Sequence, residues 1–346
     1  ALLSAAELLG MSLWFTASAV APRLQDLWGL TAAQTGWLTT LVQLGFVAGT
    51  LTAALLNLAD ILPARVYFAA CALLAAAANT LLVVVPGFGP AMAWRFLTGF
   101  FLAGVYPPAM KMIATWFRSA RGLAIGTVVG ALTVGKAGPY LVCALIPEGF
   151  SGVVLSASAG AVLAALLVLV TYRDGPFVFE RRPFHWALAA EVMRHRPTRL
   201  AVGGYLGHMW ELYAMWTWVP AFLAAAVAGS AHSLTVPGGA GSLVDLVAFG
   251  AIAAGGAGCV WGGWVADRIG REKLVNRAMA ASGACALVIG LFFSVGSPGA
   301  PEAVGRAYSG CWLHWPGSGG SSWWPIRPSS APSSPKWPPG TRWGPP

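Results

Sequence analysis

The sequence predicts an all-α, polytopic membrane protein, and three observations predict it. Hydrophobic residues make up 57% of the 346 residues and charged ones only 10%, against about 25% charge in a soluble globular domain. Mean hydropathy is +0.68. Apolar runs of about 20 residues recur, each long enough at about 1.5 Å per residue to cross a hydrocarbon core of about 30 Å. The runs are rich in Ala, Gly and Leu and lack the sustained alternation of a barrel strand, so they read as helices whose backbone groups are satisfied internally.

Nine such spans fall at roughly 2–22, 34–57, 66–86, 90–113, 122–146, 150–172, 200–223, 243–266 and 275–296. The first is apolar from residue 1 with no cleavable signal pattern, so a short native leader is expected before it. The fifth carries Gly126-xxx-Gly130, a spacing that lets a neighbouring helix approach closely. After the sixth comes the long polar connection TYRDGPFVFERRPFHWALAAEVMRHRPTR. It divides a six-helix bundle (1–172), a linker (173–198) and an incomplete second bundle of three helices (199–296). Leu9-Gly10-Met11 leads to Pro22 in the first span, and Leu206-Gly207-His208-Met209 leads to Pro220 in the seventh, so the second set repeats the first. Six helices plus a repeat is an arrangement built around a central polar site.

Basic residues set the orientation. Arg65, Arg118, Arg121, the stretch 173–199, and Arg268, Arg271, Lys273 and Arg277 all follow even-numbered spans. The positive-inside rule then puts those loops and the N-terminus in the cytoplasm, as in a multi-pass protein of a bacterial inner membrane. The net charge of +9 is accounted for by topology and attraction to lipid headgroups, with no nucleic-acid partner implied. Five cysteines are scattered without CxxC spacing and read as small buried residues. The five histidines show no metal-ligand spacing, so neither a metal nor a cofactor is expected. A monomer with membrane lipid and a small molecule as its partners is the expectation.

Between spans eight and nine stands Gly263-Trp-Val-Ala-Asp267-Arg268-Ile-Gly270-Arg271-Glu-Lys273, and a weaker copy, LLNLADILPAR with Asp60 and Arg65, stands between spans two and three. Glycine permits a tight turn or a close helix contact, while Asp and Arg at a helix end can engage a facing helix and its dipole. These residues resemble the loop signature of the major facilitator superfamily of secondary transporters, over about residues 1–296. The first copy departs from it, with Leu56 and Pro63 where glycines would stand. Span four, Arg95-Phe-Leu-Thr98-Gly99-Phe-Phe-Leu-Ala103-Gly104, is similar to the pattern that the superfamily links to proton coupling. The texture of spans four, five and seven is similar to its nitrate/nitrite and cyanate permease branch. The resemblance implies a helical bundle of six plus three helices and alternating access of a small solute, an anion if the branch holds. The loop cluster would act as a cytoplasmic gate.

Six ionisable residues lie within spans: Glu7, Arg95, Lys111, Lys136, His208 and Glu211. Each costs on the order of 3 kcal/mol there and so needs a cavity or a partner. Glu211 and His208, i and i+3 on one helix face, lie roughly 12–17 Å from the cytoplasmic edge, with Tyr205, Trp210, Tyr213 and Trp216 around them. They are the leading candidate for a substrate or proton site; a permanent packing pair is the alternative. Arg95 and Lys136 lie roughly 8–15 Å from the outer edge and together would attract an anion. Otherwise Arg95 pairs with a carboxylate and Lys136 snorkels. Glu7 is either a cavity group or a packing charge, and Lys111 is expected to snorkel.

From about residue 297 the composition changes to Pro, Ser and Gly with six tryptophans and no helical or strand period, so no packed element is expected. A frameshift explains the tryptophans, since moving TGG by two bases gives NTG, which encodes Leu, Met or Val. The product would then be a truncated, non-transporting chain. An integral-membrane enzyme or a non-transporting scaffold is the remaining alternative, and the enzyme would need a clustered nucleophile and base that the histidines do not supply.

Overall fold

The computed structural model describes residues 1–117, 119–146, 149–177, 190–191, 193–229 and 239–296. The described residues fall within one compact unit, Ala1–Pro301. Residues 178–189 and 192 of the expected linker (173–198), and the tail from 297 with its expected frameshift, lie outside the described residues.

Every expected span coincides with helix, and two are broken where the sequence removes or diverts backbone hydrogen bonds. The first comprises α1 (Leu2–Gly10), a 3-10 turn (Met11–Leu13), α2 (Thr16–Ala19) and α3 (Ala21–Trp28). Pro22 stands in the first turn of α3, where it cannot donate to the preceding turn. Ser12 Oγ bonds back to the Leu9 carbonyl at 2.7 Å and Thr16 Oγ1 to the Ser12 carbonyl at 3.2 Å, which holds the break together. Gly29 at φ 63° ends α3. Thr31 and Gln34 then form a reciprocal capping box that starts α4 (Ala32–Leu55).

A short α5 (Leu58–Ile61) leads to α6 (Ala64–Thr80). The fourth span is likewise two helices, α7 (Phe88–Leu102) and α8 (Tyr106–Ala114), because Pro107 and Pro108 open the second one. There follow α9 (Arg121–Leu145), α10 (Phe150–Thr171), α11 (Arg196–Gly229), α12 (Gly239–Ile269) and α13 (Arg271–Gly296). Among the described residues, six helices are long and apolar enough to cross a membrane. The seventh span is a helix as well, and it carries three Trp and two Tyr among its aliphatic residues.

Helices α4 and α7 pack together, as do α6 and α10, and α1 lies against both α9 and α10. The most extensive contact joins α9 to α12. A Cβ added at Gly126 would stand 2.5 Å from the Cys259 carbonyl oxygen, and one at Gly130 would stand 2.6 Å from that of Gly256. The two backbones therefore touch directly, as the Gly126-xxx-Gly130 spacing predicts. Large apolar residues such as Val47, Leu51, Leu163, Leu166 and Val170 are exposed. That arrangement suits hydrocarbon outside the bundle and not water.

The α9–α12 contact gives a direct test. Gly126→Leu is expected to lower the thermal unfolding midpoint in detergent through overpacking worth about 1–3 kcal/mol. Gly203→Ala, with nothing within 4 Å of the added Cβ, is expected to leave it unchanged or raise it slightly.

Candidate functional site

Four clusters of polar residues are built on this frame. At the end of α12 the expected gate residues meet the start of α9. Asp267 Oδ2 accepts from the Leu123 backbone N–H at 3.2 Å, so a carboxylate sits on donors that the first turn of α9 leaves open. Gly122 and Gly263 allow this, because a Cβ at either would overlap the opposite chain. Arg268 folds over the Trp264 ring, with its guanidinium carbon 3.6 Å from the centroid. Gly270, at φ 91°, makes the turn into α13, which begins at Arg271.

In the first copy of the motif Asp60 is ion-paired to Lys111, and Lys111 Nζ also donates to the Ala59 carbonyl at 2.9 Å. Lys111 thus reaches from α8 to the short α5 after α4, where Asp60 gives its ammonium a partner. Arg65 is exposed near the start of α6.

Asp267→Ala is expected to weaken the α9–α12 contact by about 1 kcal/mol, the usual size of an N-terminal capping interaction. The measurement is Cys259 alkylation in membranes, which should rise several-fold, since Cys259 faces Gly126 across that contact.

Arg95 forms the second cluster. It is fully buried, and its guanidinium donates to the carbonyls of Leu13 (3.2 Å), Trp14 (2.6 Å) and Leu38 (3.4 Å) and to Asn79 Oδ1 (3.1 Å). All four acceptors are neutral. The break in the first span explains two of them, because the turn at 11–15 leaves carbonyls that an unbroken helix would have used. Asn79 passes the network on to Ser158 Oγ at 3.0 Å. Arg95 thus ties together the first four spans and, through Asn79, the sixth, and among the described residues none of its hydrogen-bond acceptors is a carboxylate.

The third cluster surrounds Lys136 of α9. Its Nζ lies 4.0 Å from the Trp14 ring centroid, 4.9 Å from Trp216 and 5.0 Å from Tyr213, and donates to Tyr213 Oη at 3.1 Å. Three electron-rich faces and a hydroxyl hold the ammonium. The rings support each other: Trp14 stacks on Tyr213 at 5.6 Å and Tyr213 meets Trp216 edge-on at 5.4 Å. Lys136 is 3% exposed, which removes the snorkelling alternative. Glu7 of α1 is fully buried within Coulombic range of Lys136. Neither of its carboxylate oxygens has a hydrogen-bond partner, nor does Trp14 Nε1. Backbone contact brings the two helices together here, since a Cβ at Gly135 would overlap the Leu8 carbonyl.

The fourth cluster lies on α11 and differs from the expectation of a polar centre around Glu211 and His208. His208 is exposed and Trp210 is 68% exposed, while Glu211 is partly exposed and accepts from Ser282 Oγ of α13. Tyr205, also exposed, stays within electrostatic reach of Tyr106 and Tyr213. The cause is helix phase: Trp210 lies roughly 120° and Glu211 roughly 140° from Trp216 at about 100° per residue. Trp216 and Tyr213 are the residues that face the break in the first span, at Phe15 and Trp14.

The sequence reading brought Glu7 and Lys136 forward separately and did not join them, and it did not single out Trp14 or Asn79. A lone amide in the alanine-rich third span was the available signal for Asn79. It also passed over Asp245 on α12, which lies within Coulombic range of Arg23 at the end of the first span.

A sequence profile of the Major Facilitator Superfamily matches residues 2–317. A comparison with curated protein sequences returns no match. Among solved structures, the fold is similar to a bacterial homologue of the human lysosomal transporter Spinster, crystallised in an inward-facing and unoccupied conformation. The match has 18% identity and a TM-score of 0.50 over 75% of this chain and 59% of that one. At that identity the likeness concerns the fold alone, and the chain spans about three fifths of the Spinster homologue's length. With the profile covering most of its length, this multi-pass membrane chain belongs to the major facilitator superfamily.

Proposed function

We propose that the chain forms the solute-handling part of a proton-coupled secondary transporter in a bacterial inner membrane, N-terminus cytoplasmic, that moves a small solute by alternating access. The observation that carries this reading is the fully buried Glu7 and Lys136 beside an aromatic cluster contributed by both α1–α2 and α11. Opposite charges inside a bundle mark solute or proton pathways, and helices from both sides of the linker meet here, where a rocking motion would open the site. Asp267 on the start of α9 supports the gate role, because it ties α12 to α9, the helix that also carries Lys136.

The likeness to the nitrate/nitrite and cyanate branch would make the solute an anion facing Lys136. The four hydrogen bonds that occupy Arg95 take the second cation out of that role.

Uptake into proteoliposomes under an imposed pH gradient, across a panel of small anions and organic amines, tests the proposal. Glu7→Gln is expected to abolish acceleration by the gradient while leaving downhill exchange, and Glu211→Gln to retain most of it. Gradient-driven uptake that is unchanged in Glu7→Gln overturns the role given to Glu7.

A further inference from the structure

The sequence offers two membrane cations to an anion, and the structure satisfies both of them internally. Arg95 gives its N–H groups to four neutral acceptors, and Lys136 rests on three rings and a hydroxyl. What lacks a partner in the same region is a carboxylate and one donor: both oxygens of Glu7, and Trp14 Nε1.

We propose that the Trp14–Tyr213–Trp216 cage with Glu7 is a binding site for the ammonium group of a small amine, and that Lys136 is a tethered occupant which the amine displaces. The proposal rests on the transporter reading above and names its substrate class. Ring faces at 4.0–5.0 Å from Lys136 Nζ attract any small ammonium by the same quadrupole interaction. Glu7 supplies the opposite charge, so an amine that enters as Lys136 swings out of the cage on its stem keeps the carboxylate facing one ammonium in a medium of low dielectric. Lysine suits the role of a displaceable occupant because its ammonium is a compact point charge on a flexible four-carbon stem. Trp14 Nε1 remains as a donor for an oxygen elsewhere on the solute. Because Trp14 stands at the break in the first span and Tyr213 and Trp216 stand on α11, an amine held here touches helices from both sides of the linker.

n-Propylammonium reproduces the lysine side chain from Cγ to Nζ and is the probe. Its binding to the full chain in lipid nanodiscs is measured by equilibrium dialysis, beside propionate of similar size and uncharged n-propanol. Saturable binding to the native protein is expected, tightening by about tenfold in Lys136→Ala, where no tethered ammonium competes, and weakening by about tenfold in Trp14→Leu, where one cation–π contact is lost. Propionate and n-propanol are expected not to compete. Equal binding of propionate overturns the charge assignment, and equal binding of n-propanol reduces the site to an apolar void. Binding to Lys136→Ala with none to native protein overturns the substrate role, because Lys136 would then be a fixed structural group. The native-protein measurement stands even if Lys136→Ala fails to fold. Absent amine binding with Glu7-dependent, gradient-driven uptake of another solute removes the amine assignment and keeps the transporter; absence of both removes the transporter reading as well.

Discussion

Arg95→Met is expected to destabilise the folded chain by about 3–5 kcal/mol, the range seen when one member of a buried, hydrogen-bonded charged network is removed. The methionine fills much of the same volume, so the loss measures the hydrogen bonds and not a cavity. Four acceptors lose their donor together: the carbonyls of Leu13, Trp14 and Leu38, and Asn79 Oδ1. Each orphaned acceptor costs about 1–3 kcal/mol if it stays dry, and relaxation of the broken first span recovers part of that. Arg95→Lys is expected to fall between the two, because an ammonium keeps the charge but cannot span acceptors on three separate segments. Equilibrium unfolding in mixed micelles, followed by size-exclusion profiles, gives the comparison. A native-like unfolding curve for Arg95→Met would show that the network is not what holds the four spans together.

Lys136→Met is expected to cost a similar 3–5 kcal/mol, because it leaves Glu7 as a buried charge without its counter-ion. Glu7→Gln alone strands Lys136 less severely, since Tyr213 and the three rings still hold the ammonium. The double variant Glu7→Gln with Lys136→Met is expected to regain most of the loss, with a coupling energy of about 2 kcal/mol in the double-mutant cycle. Additive effects would mean that the two charges do not sense each other across the α1–α9 contact.

The helices were legible because twenty-residue apolar runs have few other solutions in a membrane chain. Breaks were less legible than spans. Tandem Pro107 and Pro108 are an open signal, whereas the turn at 11–15 depends on Arg95, more than eighty residues away, accepting the role of donor to its carbonyls. The helix-end contact of Asp267 was readable from Asp267, Gly263 and Gly270, since an acid at a helix end with adjacent glycines needs little tertiary knowledge. Its partner, the Leu123 N–H, was not, because every backbone donor looks alike in a sequence. That Lys136 and not Glu211 lies buried among the rings was illegible for a similar reason. Periodicity states which residues share a face of α11, but the neighbour that each face meets is decided by the Trp14, Tyr213 and Trp216 packing.

Where α9 meets α12, main chain lies on main chain at Gly122, Gly126, Gly130, Gly256 and Gly263, with Val134 and Val260 packed beside them. A joint made largely of main chain on main chain has few interlocking ridges, so rolling one rod over the other resets few rotamers. It can behave as a smooth axle, on which tilt changes cheaply while separation does not.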